Sequence, residues 1–428
     1  MLLKNLSLNA ILQCLSLIYS LLFTKVALSV WGVDTYSYVI VMVAYIGFLN
    51  IAELGIPTTI QNFVILKKNE YSKTIGSALI NVACLINITV IGIIAAGIFV
   101  IELISIQNGD QKIFRDLLIS GALMVDPALA IILFVQVILG VLQTFANIHL
   151  CYQGKYQLTI KIAIFLRVQE VIALGLLGYG YLSPISLFLI LASLKLISVL
   201  VTASKFMPYY QDITLKVIKG IRSELALIQT LRKQILGYAL FPAGFLIRNQ
   251  GFLVVAASAL SPLETTMYAT SRTLVNISYQ IMGLFNNSYH VHISQGIRER
   301  NYSALMVEIN KTCMKLSMIM LCLTTALMIF IDYVYENWVG LEYLPTKGFL
   351  FILFIDVLIH TIWGFRTMIL VAGNTAARLA LHFTVSNAIS FLLYLIILVD
   401  YSLIGVGVSL LLPNIYMIII HNRLISSS

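Results

Sequence analysis

The sequence predicts an all-α polytopic membrane protein of about twelve transmembrane helices, arranged as two parallel six-helix lobes. Hydrophobic residues occupy 60% of the 428 positions and charged residues only 11%, whereas a soluble domain carries about 25% charged residues. Apolar stretches of about twenty residues, the length that crosses a bilayer, recur along the chain. Basic residues alternate between rich and poor connections, as expected when successive loops lie on opposite sides of a membrane.

The apolar stretches define the candidate spans in chain order. They cover residues 8–31, 36–66, 76–104, 117–148, 156–180, 184–207, 234–260, 265–295, 304–331, 347–372, 375–399 and 402–421. The second, fourth and eighth spans are longer than a bilayer requires, so we expect them to tilt, kink or extend beyond it. Pro57 and Pro242 remove backbone donors inside spans, which predicts kinks at both positions.

The basic residues predict the orientation of these spans. Eighteen of the 27 Lys and Arg residues fall in one set of loops and adjoining helix ends, and three fall in the alternate set. The positive-inside rule places the richer set in the cytoplasm, so both termini are predicted to be cytoplasmic. The net charge of +9 follows from this bias, and no nucleic-acid partner is predicted.

The longest connection, 208–233, separates six spans from six. Its mixture of apolar and basic positions predicts an amphipathic helix at the cytoplasmic interface. The predicted domains are therefore an N-terminal lobe at 1–207, the linker at 208–233 and a C-terminal lobe at 234–428.

The two halves also show a weak internal repeat. Residues 33–38 resemble 263–268 at an offset of 230, and residues 67–72 resemble 298–303 at an offset of 231. Because each half contains an even number of helices, the repeats are expected to share one orientation in the membrane.

Six basic residues lie within the predicted spans and away from the loops and helix ends counted above. They are Lys25, Arg167, Lys195, Arg248, Arg272 and Arg366. A guanidinium at membrane depth costs roughly 2.5–3.5 kcal/mol on insertion scales, so such residues normally face a polar cavity or a counter-charge. If the halves are repeats, Lys25, Arg248, Arg272 and the carboxylate of Glu53 line one central cleft. This charge pattern suits a phosphate or pyrophosphate group, and snorkelling to the interface is the alternative interpretation.

The tenth span carries a second group of polar residues. Asp356, His360 and Trp363 are spaced by four and three residues, so they share one helix face. The Asp356 carboxyl, the His360 imidazole and Glu53 are candidates for ion or proton coupling, since imidazole titrates near neutral pH. A satisfied contact between helices is the alternative for Asp356 and His360. Arg366, further inward, is a further candidate for substrate binding.

The fifth span contains Arg167 and Glu170, which are three residues apart and can pair within one helix. Lys195 in the next span could meet this pair, and we favour a structural interpretation for it. For Arg167 and Glu170 two interpretations remain open: an internal structural ion pair and a functional site.

Signatures of enzymes and metal proteins are missing from the sequence. The five cysteines form no CxxC pattern or disulfide framework. There is no HExxH, GxSxG or GxxxxGK[ST] motif. The sequence therefore predicts no catalytic residue, no metal site and no cofactor.

The run YATSRTLVNISYQIMGLFNNSYHVHISQGIRERN at 268–301, with twelve helices in two parallel halves, resembles the polysaccharide-export branch of the multidrug/oligosaccharidyl-lipid/polysaccharide (MOP) exporters. Shorter similarities are NIAELGIP at 50–57, YQGK at 152–155 and LVAGN at 370–374. The resemblance implies an O-antigen or related flippase.

Such a flippase moves an undecaprenyl-pyrophosphate-linked oligosaccharide from the cytoplasmic to the periplasmic leaflet of the bacterial inner membrane. By the family pattern, Lys25, Arg248 and Arg272 would line its lumen. The partners implied are the lipid-linked oligosaccharide, membrane lipids, a polysaccharide polymerase and a chain-length regulator.

Two other functions are compatible with the sequence. A drug or cation antiporter of the same superfamily would be expected to place carboxylates, rather than Lys and Arg, in its cleft. A membrane polysaccharide polymerase or ligase would be expected to carry a large outer loop. The predicted outer loops are short, and the longest of them spans roughly 332–346.

Overall fold

The computed structural model describes residues 2–47, 55–66, 76, 78–93, 127–180, 182–205, 229, 232–298, 302–372 and 377–426. Within these ranges the chain is helical and has no strand, which confirms the all-α prediction. The helices are α1 (Leu2–Gly47), α2 (Ile56–Leu66), α3 (Ala78–Ile93), α4 (Pro127–Tyr152), α5 (Tyr156–Gly178), α6 (Pro184–Ser204), α7 (Arg232–Leu246), α8 (Phe252–Ala259), α9 (Pro262–Arg298), α10 (Tyr302–Ile329), α11 (Ile331–Trp338), α12 (Lys347–Arg366), α13 (Met368–Ala372), α14 (Ala377–Leu393) and α15 (Ser402–Ser426).

Each of the twelve predicted spans contains helix in the described part of the chain. Seven of the described helical stretches are long enough and apolar enough to cross a membrane. The multi-pass membrane fold is therefore confirmed. The amphipathic linker predicted at 208–233 lies almost wholly outside the described residues, as does Glu53.

Glycine, rather than proline, breaks the first long helical stretch. Gly32 adopts φ +75° and ψ 175° inside α1, a backbone conformation essentially restricted to glycine. This break coincides with the predicted boundary between the first two spans. Gly55, with φ +65°, lies just before α2, and Pro57 falls in the first turn of that helix. The predicted kink at Pro57 is wrong, because a first-turn proline removes no bonded N–H group.

The described residues form two compact units. Unit 1 contains Met1–Val41 and Ile247–Ser428, and unit 2 contains Met42–Leu246. The first helical arm of the chain is thus grouped with the C-terminal helices, whereas the predicted lobes follow sequence order. The lobe boundaries at 1–207 and 234–428 stay a prediction.

Unit 1 is built around α12, the most enclosed of the described candidate spans. This helix packs against α9, α10 and α15, and α15 packs in turn against α14. Its buried apolar residues include Phe349, Leu353 and Phe365. The buried polar residues of α12, Asp356, His360 and Thr361, are therefore surrounded by helices, and each of them needs a hydrogen-bond partner inside the protein.

A capping box starts α9 directly after α8. The Ser261 hydroxyl accepts from the Glu264 amide at 3.2 Å, and the Glu264 carboxylate accepts from the Ser261 amide at 3.0 Å. This reciprocal pair satisfies two of the free donors at a helix N-terminus. Ser402, which begins α15 with φ 51°, donates to the same carboxylate at 2.6 Å. Glu264 thus fixes the starts of two helices in unit 1.

Unit 2 has an apolar core formed by α2, α3 and α4, with Ile60, Ile80 and Phe145 at its centre. Between α4 and α6 it contains a polar contact, in which Ser198 and Thr202 bond to the amide of Gln143 at 3.0 and 3.1 Å. Buried amides and hydroxyls that pair in this way hold two helices at one register.

Candidate functional site

A buried ion pair lies at the centre of unit 1. Arg248 occupies a π-helical segment, Ile247–Gly251, between α7 and α8, and such widened turns are frequent at functional sites. Its guanidinium donates to the carboxylate of Asp356 on α12 and, through Nη1, to the carbonyl of Leu410 on α15 at 2.6 Å. Arg248 is 3% exposed and Asp356 is 2% exposed, so their charges compensate each other inside the protein.

Tyr279 on α9 completes the contacts of this pair. Its hydroxyl donates to the Asp356 carboxylate at 3.3 Å and accepts from Arg248 Nη2 at 3.5 Å. Four separate parts of unit 1 therefore converge on one carboxylate: the π-helical segment, α9, α12 and α15.

Asn414 on α15 connects the ion pair to the rest of the α12 stripe. Its amide nitrogen donates to Asp356 Oδ1 at 2.6 Å, and its amide oxygen accepts from Trp363 Nε1 at 3.0 Å. A carboxylate can only accept and an indole N–H can only donate, so the orientation of the amide is fixed. The same oxygen lies 3.3 Å from His360 Nδ1, which must therefore carry the proton and donate.

Together these side chains form what we call the Asp356 network. Its members are Arg248, Tyr279, Asp356, His360, Trp363 and Asn414. The predicted shared face of Asp356, His360 and Trp363 is confirmed, because all three contact Asn414. For His360 and Asp356 the structure shows the interhelical contact that the sequence left as an alternative to a proton relay.

Pro413 explains why α15 can accept hydrogen bonds from neighbouring helices. Proline has no N–H group, so the Ser409 carbonyl, four residues earlier in α15, loses its usual helical donor. The Ser390 hydroxyl of α14 donates to this carbonyl. The next carbonyl, that of Leu410, accepts from Arg248. Both acceptor carbonyls therefore lie in the turn of α15 that precedes Pro413.

Arg272 on α9 has a different environment from Arg248. It is half-buried, and its guanidinium carbon lies 5.5 Å from the ring centre of Tyr268. Among the described residues it forms no ion pair. Stacking on an aromatic face leaves the guanidinium N–H groups able to bind a further acceptor.

Lys25 on α1 is exposed and donates to the carbonyl of Asn337 at 2.9 Å. Its neighbour Thr24 accepts from the Tyr36 hydroxyl at 3.4 Å. Tyr36 is thus bonded directly beside Lys25. The short helix α11 connects the segments of these two predicted cations, because its Asn337 carbonyl accepts from Lys25 and its Tyr335 hydroxyl lies 3.2 Å from Ser271, next to Arg272. Within the described residues Lys25 has no carboxylate partner.

Arg366 lies at the end of α12, ten residues after Asp356, or about 15 Å along the helix axis. It is half-buried near Cys313 of α10 and His421 of α15. Its Nε group is buried and makes no hydrogen bond within the described residues. Arg366 is therefore separate from the Asp356 network, and a role in substrate binding stays a prediction.

Three described charged residues of unit 2 make local contacts. Arg167 and Glu170 form the expected pair within α5 at 2.5 Å, and both remain partly exposed. Lys195 donates to the carbonyl of Gln136 on α4 at 3.1 Å. These contacts support the structural interpretation of all three residues. No group of three potential metal-binding side chains occurs in the described ranges.

Sequence comparison finds neither a protein-family model nor a characterised protein that matches this chain. Comparison of structures does find similar proteins. An inward-facing multidrug-resistance MATE transporter of the MOP superfamily has a TM-score of 0.70 and 17% identity, covering 97% of this chain and 95% of that one.

Two further solved structures share the fold. The lipid II flippase MurJ in an inward closed conformation has a TM-score of 0.59 and 13% identity, covering 97% of this chain and 87% of that one. A MATE transporter in complex with MaL6 has a TM-score of 0.58 and 14% identity, covering 99% and 96%. This protein therefore has the fold of the MOP-superfamily transporters, as its sequence resemblance implied.

Proposed function

We propose that this protein is a flippase that moves an undecaprenyl-pyrophosphate-linked oligosaccharide, such as an O-antigen repeat unit, across the bacterial inner membrane. The observation that supports this best is the contrast between the cations of unit 1. Arg248 is compensated by Asp356, whereas Lys25 and Arg272 have no carboxylate partner among the described residues. Two cations without counter-charges suit an anionic ligand.

The chemistry of the proposed substrate matches these two side chains. A pyrophosphate loses much of its hydration when it enters a membrane protein, and cationic donors offset that cost. Arg272 offers paired N–H donors from a planar group, and Lys25 offers a compact charge. Tyr268, fully buried beneath the Arg272 guanidinium, holds the guanidinium in place without occupying its donors.

The remaining candidate residues take supporting roles in this proposal. Arg248 and Asp356 compensate each other's charge, and protonation of Asp356 would weaken its hold on the guanidinium. Asp356, His360 and Glu53 are accordingly the candidates for ion or proton coupling, and Arg366 is a candidate for a contact further inward. Transport would follow alternating access of a cationic cleft to the two sides, with both termini in the cytoplasm.

The main alternative is a drug or cation antiporter. Two observations favour it: the comparison with a MATE transporter has a TM-score of 0.70, and unit 1 contains a fully buried carboxylate in Asp356. A polymerase or ligase gains no support, because the similar structures are transporters. Association with a polymerase and a chain-length regulator is part of the flippase proposal.

Reconstituted vesicles can test the proposal directly. A fluorescent polyprenyl-pyrophosphate disaccharide would be incorporated, and its movement followed by quenching from one side. A charged hydrogen bond contributes about 1.5–3 kcal/mol, so Lys25→Ala and Arg272→Ala should each slow flipping by roughly ten- to a hundredfold. Arg272→Lys should retain part of the rate.

The matched control is Arg167→Ala, which removes an arginine paired within its own helix and should leave the rate unchanged. Wild-type flipping by well-folded Lys25→Ala and Arg272→Ala variants would refute the proposed binding site. Efflux of a cationic dye by the same vesicles, without flipping of the lipid, would favour the antiporter.

A further inference from the structure

The short helix α11 ends against Lys25 of α1. The last four carbonyls of any helix lack partners within it and carry the negative end of the helix dipole. In α11 one of these is the Asn337 carbonyl, and it accepts from Lys25 Nζ at 2.9 Å. The carbonyl of Tyr335 is already bonded by the amides of Val339 and Gly340 at 3.0 and 2.8 Å.

A second hydrogen bond joins the same two helices in the opposite direction. Trp338, the last residue of α11, donates from Nε1 to the Leu21 carbonyl of α1 at 2.9 Å. Leu21 and Lys25 are four residues apart, so both contacts lie on one face of α1. The end of α11 therefore holds α1 by a reciprocal pair of bonds, each of which uses a backbone carbonyl as acceptor.

The other side of α11 is attached to α9. Tyr335 is completely buried, and its hydroxyl lies 3.2 Å from Ser271 Oγ and 3.3 Å from Thr270 Oγ1. These residues directly precede Arg272 on α9. One short helix thus contacts the segments that carry both uncompensated cations.

We infer that α11 acts as a latch that inhibits substrate binding. The Asn337 carbonyl accepts the hydrogen bond that the Lys25 ammonium would otherwise donate to an anionic headgroup. This inference rests on the proposed function, since it concerns the same cation. A pyrophosphate carries full negative charges, whereas a helix C-terminus carries about half a charge. The headgroup therefore displaces the carbonyl, and substrate binding removes one of the two hydrogen bonds that join α1 to α11.

Trp338→Phe weakens the latch and leaves Lys25 intact, since phenylalanine keeps an aromatic ring but has no N–H donor. The purified variant and wild type would be treated with an amine-acylating ester, and modification of Lys25 measured by mass spectrometry. One net hydrogen bond is worth about 0.5–1.5 kcal/mol, so Lys25 should react between about two- and tenfold faster in the variant. Exposed Lys311 on α10 is the internal standard.

The second arm of the experiment adds inorganic pyrophosphate as the probe. Pyrophosphate should protect Lys25 from acylation in both proteins, at a concentration about two- to tenfold lower in Trp338→Phe. Tyr335→Phe, which removes the hydroxyl facing α9, should also raise the acylation rate of Lys25 and lower the pyrophosphate concentration that protects it. This variant replaces Trp338→Phe in the experiment if Trp338→Phe folds poorly. Trp31→Phe, which removes an indole from α1 itself, should change neither quantity.

The outcomes separate the latch from the proposed function. Unchanged Lys25 reactivity in both α11 variants, with pyrophosphate protecting every protein equally, would overturn the latch and leave the flippase proposal standing. Faster acylation without any protection by pyrophosphate would overturn the competition with an anionic headgroup and the proposed binding site with it.

Discussion

The Arg248 guanidinium and the Asp356 carboxylate form an ion pair across 108 positions of sequence, inside a bundle of apolar helices. Each charge replaces part of the hydration that the other has lost. Removal of one partner leaves a buried charge without compensation, which typically costs about 3–5 kcal/mol, whereas replacement of both by apolar groups is often neutral. The pair is therefore expected to matter most when it is broken on one side only.

We predict that Asp356→Leu and Arg248→Met each lower the free energy of unfolding by about 3–5 kcal/mol. The double variant should be more stable than either single variant, because no charge is left unpaired. Thermal unfolding of the four proteins in detergent gives the coupling energy directly.

The pair of Arg167 and Glu170 provides the control for this cycle. Both residues are partly exposed, so Arg167→Ala should change stability by less than about 1 kcal/mol. Strictly additive losses at Arg248 and Asp356 would contradict the interpretation that the two charges compensate each other.

Asn414 is expected to be needed for the whole Asp356 network. Asn414→Leu preserves volume but leaves the indole N–H of Trp363, the imidazole of His360 and one oxygen of Asp356 without their observed partner. A buried polar group that loses its partner costs about 1–3 kcal/mol, so this variant should unfold well below the wild-type temperature.

A buried asparagine with few contacts supplies the comparison. Asn387 on α14 donates only to the Phe383 carbonyl of its own helix, at 2.7 Å, and its amide oxygen makes no hydrogen bond within the described residues. Asn387→Leu should therefore be much less destabilising than Asn414→Leu. Equal losses in the two variants would show that burial of an amide, rather than the network, determines the effect.

Gly32 and Gly175 provide a test of backbone conformation without any change in packing. An added Cβ would meet no atom within 4 Å at either position, but Gly32 has φ +75° and Gly175 does not adopt a positive φ. Gly32→Ala should destabilise the protein by about 1–3 kcal/mol. Gly175→Ala, inside helix α5, should stabilise it by about 0.5–1 kcal/mol. Thermal unfolding of both variants checks the sign and the size of each predicted change in stability.

The sequence was sufficient to predict the helices because their signals are local. Apolar length defines a span. Gly32 lies where the first long helix breaks, and Pro262 is the first residue of α9. The capping box of Ser261 and Glu264 is equally local, although it was not predicted. The spacing of Asp356, His360 and Trp363 likewise placed them on one face of one helix.

Partners that lie far apart in sequence could not be predicted in the same way. The depth of Arg248 in its span predicts a counter-charge or a polar cavity. That the counter-charge is Asp356 depends on how α12 packs beside the π-helical segment, which the sequence does not show. Asn414 is a neutral residue in an apolar run. Its position directly after Pro413 is the one sequence feature that distinguishes it from other neutral residues in the spans. Lys25 is bonded to a main-chain carbonyl, a type of partner that no side-chain pattern reveals.

The contact between Ser390 and the Ser409 carbonyl gives the most specific prediction. Pro413 leaves this carbonyl without a helical donor, so Ser390→Ala should cost about 1–3 kcal/mol by leaving it buried and unbonded. In a Pro413→Ala background, residue 413 regains an N–H group that can bond the carbonyl. The Ser390→Ala loss should then shrink by at least about 1 kcal/mol. Thermal unfolding of the two single variants and the double variant measures this coupling, and an undiminished loss in the Pro413→Ala background would show that the Ser390 hydroxyl does not replace the missing proline donor.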